Sequence, residues 1–151
     1  MKTLVLGLGN PILRDDGAGF RVAEELKKRI QDKDVTIENE ALAGLELLEL
    51  LSGYDRAIII DTIQTGGRAG KIYRLEPDSL KSTLHAGTPH DVNFVTALEL
   101  GKRLGADLPK KIDILAIEAA DVTSFSEECT REVATAIPEC VEMVVKMIKE
   151  G

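Results

Sequence analysis

Short apolar runs alternate along this chain with stretches of helical period. Leu4, Val5 and Leu6 form a continuous apolar run, the pattern of a strand covered on both faces. Ala18, Val22, Leu26 and Ile30 then recur every fourth position between Glu24, Lys27 and Lys28, which predicts a one-faced helix from about Asp16 to Ile30. Val35-Thr36-Ile37 reads as a second strand. After Gly44, the residues Leu45, Leu47, Leu48 and Leu51 supply the apolar face of a second helix that stops at Ser52-Gly53. Ala57-Ile58-Ile59-Ile60 is the most strand-like segment, uncharged and largely β-branched, and it breaks at Asp61.

The second half repeats the alternation. Gln64 to Gly70 is a Gly-rich turn into Ile72-Tyr73-Arg74-Leu75, whose pattern suggests a hairpin-like edge strand. A polar loop from Asp78 to Pro89 precedes a helix carrying Phe94, Val95 and Leu98, with Asp91 as its expected N-cap and its end near Gly105. Ile112 to Ile117 forms the last strand and meets Glu118. Thr130 is placed to cap a final helix in which Val133, Ile137, Val141, Val144 and Ile148 make the apolar stripe, with Pro138 expected to kink it. Strand and helix in alternation predict an α/β fold: a three-layer sandwich with a mostly parallel, five-stranded twisted sheet flanked by helices on both faces. A chain of 151 residues, 44% hydrophobic, fits a single domain over 1–151.

Charge narrows the partners. With 19 basic and 26 acidic residues the formal net charge is -7, which disfavours nucleic acid or an anionic membrane surface as the main partner. The chain starts directly on its first strand, and no apolar stretch is long enough to span a bilayer, so a soluble cytoplasmic protein is expected. Cys129 and Cys140 match no metal or redox spacing and read as reduced, inert thiols.

Candidate chemistry gathers around the opening loop, Gly7-Leu8-Gly9-Asn10 followed by Arg14-Asp15-Asp16-Gly17-Ala18-Gly19. A strand, Gly-x-Gly and a helix can open a dinucleotide site, but Ile12 stands where the third glycine belongs. Asp15 and Asp16 would also set negative charge where phosphate should sit. Two readings of these acids stay open. They could simply complement the positive end of the first helix. Alternatively Asp16 could join Asp61, at a strand end, and His90, just before a helix, above one sheet edge if the first and third strands are neighbours. Two carboxylates and an imidazole can hold a divalent metal with positions left for substrate or water. His85 and His90 are the only histidines, which rules out an all-histidine site. No serine or cysteine nucleophile with a plausible base stands out.

Taken in order, these residues resemble the hydrogenase maturation endopeptidases, which trim the large subunit of nickel-iron hydrogenases. The resemblance rests on the Gly7-to-Gly19 loop, Gly44 with its Leu-rich helix, Ile60-Asp61, Pro89-His90-Asp91 and Ile117-Glu118, and so runs nearly the full length. It implies that Asp16, Asp61 and His90 bind metal and carry the catalytic chemistry. The implied activity is an endopeptidase, metal-dependent or aspartate-assisted, that removes the carboxyl-terminal extension of a nickel-iron hydrogenase large-subunit precursor after nickel insertion. Nickel would be the recognition signal and arrive on the substrate, although other divalent metals could occupy the site. A monomer is expected. Some relatives carry Glu where this chain has Asp16, and the usual Gly-Ile-Glu-Pro is here Ala116-Ile117-Glu118-Ala119, so Glu118 reads as a loop or wall residue. On this reading the opening glycines make room for a bulky protein substrate. The rival is a chaperone that binds the metallated precursor without cutting it, and a nucleotide-binding α/β domain comes third.

Overall fold

The computed structural model describes residues 1–41, 46–77 and 89–151, and for residues 89–95 the backbone alone. Five strands form one sheet in the order β2-β1-β3-β5-β4. They are β1 (Thr3–Leu8), β2 (Val35–Glu40), β3 (Arg56–Ile63), β4 (Ile72–Leu75) and β5 (Lys111–Glu118). β2, β1, β3 and β5 run parallel, and β4 is antiparallel at the edge. Every residue of β1 and β3 is buried, whereas all of β2 is half-buried. That contrast explains why the inner strands are continuous apolar runs in the sequence and the outer ones are not.

Helices cover both faces. A 3-10 turn over Arg14–Gly17 leads into α1 (Ala18–Arg29), which packs with α4 (Arg131–Glu150) over Val5, Ile58, Ile60, Leu115 and Ile117. On the opposite face α2 (Glu46–Leu51) and α3 (Pro89–Arg103) bring Leu47, Leu51 and Leu98 onto Leu4, Leu6, Ile59 and Ile63. Each of these aliphatic side chains contributes about 2 kcal/mol when fully buried, and the two layers together fix the sheet between them. The predicted fold is the observed one. Among the described residues no helix is long and apolar enough to cross a membrane.

Several local expectations need correction. β3 does not end at Asp61 but runs on to Ile63, because Asp61 and Thr62 are buried and hydrogen-bonded rather than solvent-facing. β4 is an edge strand but makes no hairpin with β3; β5, arriving from later in the chain, lies between them. Asp91 is the third residue of α3, not its N-cap, since the helix starts at Pro89, a residue whose missing N–H suits a first helical position. Thr130 does hold the N-cap position of α4 but makes no side-chain cap hydrogen bond. α4 is one element through Pro138, and its buried stripe is Val133, Ala136, Cys140, Val141, Val144 and Met147, with Ile137 and Ile148 only half-buried. Gly44, Leu45 and His85 lie outside the described residues.

Candidate active site at the carboxyl edge of the sheet

From β1 the chain turns one way to β2 and the other way to β3, so the crevice where ligands bind in open α/β sheets falls at the carboxyl ends of β1 and β3. The opening loop crosses that edge. Gly9 takes a φ of 137°, and a Cβ on it would lie 2.0 Å from the backbone oxygen of Asp16. A Cβ on Gly7 would meet the Gly19 oxygen at 2.4 Å, and one on Gly19 would meet the Ile60 oxygen at 2.5 Å. These glycines make room for the protein's own backbone, not for a substrate, which corrects the expectation drawn for them. Their absent side chains let the 3-10 turn and the start of α1 press against the strand ends.

The adjacent aspartates of that turn have different roles. Asp15 is completely buried, and its carboxylate is bound by the loop before α4. Oδ2 accepts the amides of Ala120 and Asp121, both at 2.9 Å, and Oδ1 accepts the amide of Thr130 at 2.7 Å. The Thr130 hydroxyl also donates to Asp15, at 2.8 Å to Oδ2. Around it, the backbone of Arg14 adopts a φ of 47°, its amide donates to the Ser126 oxygen at 2.9 Å, and its guanidinium lies 3.5 Å from Asp121. Hydrogen bonds from Ser124 and Thr123 hold the Asp121 carboxyl well below the usual carboxylate range. Asp15 is thus a structural clamp between two loops.

Asp16 turns the other way, toward the strand ends. It is 4% exposed; its Oδ2 accepts the Asn10 amide at 2.9 Å, and its Oδ1 accepts the Thr62 hydroxyl at 3.1 Å. Asp61, 2% exposed, accepts the Thr62 amide at 2.8 Å. Thr62 therefore donates to both carboxylates, its hydroxyl to Asp16 and its amide to Asp61. Strand alternation sets Asp61 on the face of Ile59 and Ile63, under α2 and α3, and sets Thr62 on the face of Ile58 and Ile60, under α1 and α4.

His90 is the second residue of α3. The helix is 15 residues long, about 22 Å at 1.5 Å per residue. Its carboxyl end leads to β5 at the amino edge, where the Lys110 amide donates to the Asp55 oxygen at 3.1 Å. α3 therefore begins near the carboxyl edge, on the face of Asp61. The His90 side chain lies outside the described ones, and among the described residues no three potential metal-ligating side chains converge. Glu118, the last residue of β5, is buried, and accepts the Thr65 amide at 2.8 Å, the Thr65 hydroxyl and the Tyr73 hydroxyl at 3.0 Å. It anchors the loop between β3 and β4 that walls one side of the edge.

The sequence and the fold recur in known proteins. A profile described as hydrogenase maturation protease matches residues 20–147. The chain belongs to the hydrogenase maturation protease family. The hydrogenase 2 maturation protease of Escherichia coli (strain K12) is 31% identical over 154 residues, spanning 100% of this chain and 93% of that protein. The structure of the hydrogenase maturating endopeptidase HybD from E. coli superposes with a TM-score of 0.87 at 28% identity, over 99% of this chain and 93% of that one. The hydrogenase expression/formation protein HupD of Rhizobium leguminosarum bv. viciae is 27% identical, over 98% of this chain and 74% of its own. Maturation proteases are endopeptidases, and the α/β fold of this chain is theirs.

Neither cysteine enters the edge cluster. Both are free, and burial pushes both thiols up, Cys140 to about 12. The contribution of Thr62 had no signal in the sequence, because a hydroxyl one residue past a strand carboxylate is informative only once the facing loop is known.

Proposed function

We propose that this maturation protease is a cytoplasmic endopeptidase that removes the carboxyl-terminal extension of a nickel-iron hydrogenase large-subunit precursor, with the nickel of that precursor as its recognition signal. The observation that carries the reading is the pairing of Asp16 and Asp61 through Thr62 at the carboxyl edge, in a chain that resembles maturation proteases over its whole length. Two carboxylates and the imidazole of His90 form a mixed oxygen and nitrogen donor set suited to a divalent transition metal. In this reading Asp16, Asp61 and His90 contact the nickel that the substrate carries, and that contact fixes the scissile peptide over the strand ends. A water held there attacks the peptide carbonyl while one of the carboxylates accepts its proton, and the C–N bond then breaks as that proton passes to the departing amine.

The test is mass spectrometry of a nickel-loaded precursor before and after incubation with the protein. Loss of the tail is expected with the native chain. Asp16→Asn and His90→Ala should leave the precursor at full mass while keeping a native circular-dichroism spectrum. Normal cleavage by both variants would overturn the site, and stable complex formation by the native chain without any mass change would identify a chaperone instead.

A further inference from the structure

Thr62 is completely buried. The hydroxyl donates to Oδ1 of Asp16 at 3.1 Å, and the amide of the same residue donates to Oδ1 of Asp61 at 2.8 Å. One residue thereby sets the orientation of two carboxylates that come from opposite sides of the edge. A β-branched side chain is suited to this, because it has few χ1 states and so points its hydroxyl in a fixed direction. The Asn10 amide, at 2.9 Å from Oδ2, restrains the other oxygen of Asp16. Each carboxylate oxygen has more than one acceptor direction, so these bonds orient the groups without using every direction an oxygen offers.

We infer that Thr62 is a positioning residue for recognition of the nickel-loaded precursor, holding Asp16 and Asp61 in the geometry that engages the metal. The inference rests on the function proposed above. Removing the hydroxyl while keeping the shape, in Thr62→Val, takes away the restraint on Oδ1 of Asp16 and leaves the Asn10 amide on Oδ2, and Thr62→Ser restores the donor. Outer hydrogen-bond partners of metal-binding groups are commonly worth about 10- to 100-fold in affinity.

The experiment measures the affinity of the protein for nickel-loaded and nickel-free precursor, alongside kcat and KM for cleavage and the melting temperature. Native protein should prefer the loaded form. Thr62→Val is expected to lose about 10-fold or more of that preference, with KM rising more than kcat falls. Thr62→Ser should recover most of it. An unchanged preference in Thr62→Val would overturn the inference, as would equal weakening toward both precursors with a matching drop in melting temperature, the mark of a packing role alone. Asp16→Asn separates the two levels: if it keeps the preference, the proposed site itself fails, whereas its loss beside an intact Thr62→Val removes only the role of Thr62.

Discussion

The carboxylate of Asp15 accepts both the amide and the hydroxyl of Thr130, at 2.7 Å and 2.8 Å, across 115 positions of sequence. It also accepts the Ala120 and Asp121 amides, so donors surround both of its oxygens. Asparagine would turn an NH2 group toward N–H donors. Asp15→Asn should therefore destabilise the fold by about 3 kcal/mol, at the upper end for hydrogen bonds to a buried charge. Urea denaturation measures this. A loss below about 0.5 kcal/mol, typical of an ordinary surface change, would mean that the clamp is redundant.

Gly9 offers a test of what the glycines are for. A methyl group there would overlap the backbone oxygen of Asp16 at 2.0 Å, in a conformation with φ of 137° that side chains rarely adopt. The turn bearing Asp16 has to move away. We expect Gly9→Ala to cost about 3 kcal/mol and to impair precursor processing through displacement of Asp16. If the glycine instead cleared space for substrate, the variant would keep its denaturation midpoint and change only KM.

Burial of Cys140, with Glu139 beside it as a smaller cause, raises the thiol from 9.0 to about 12. A raised folded value means that the native state keeps its proton while the unfolded chain releases one. The protonated thiol's stabilising share is thus whole below pH 9 and declines toward pH 12. Compared with Cys140→Ala, native protein should lose about 1 kcal/mol of its advantage between pH 8 and pH 10. Paired denaturation curves at the two pH values would show it, since other titrating groups cancel in the difference. A pH-independent gap would contradict the assignment.

The inner strands were legible because burial on both faces demands uninterrupted apolar residues, as in Leu4 to Leu6 and Ala57 to Ile60. Their ends were not. β3 begins at Arg56 and β5 contains Asp113, and these two buried charges pair at 3.3 Å, a pairing invisible in a hydropathy pattern. β2 extends through Glu38, Asn39 and Glu40 because an edge strand tolerates polar residues on its open side. At the site, Asp16 and Asp61 could be picked out as carboxylates beside a glycine turn and a strand. The division of labour between Asp15 and Asp16 could not, since it depends on which loops meet across more than a hundred residues. Thr130 illustrates the same limit: its position suits a cap, yet its hydroxyl is taken by Asp15.

Asp61 and Thr62, consecutive on β3, face opposite helical layers, and Asp16 and the start of α3 reach the edge from those two sides. A chain that has docked only one layer has half of the cluster. Under the function proposed above, processing requires both layers to be docked, and a partly folded chain is expected to leave the precursor uncut.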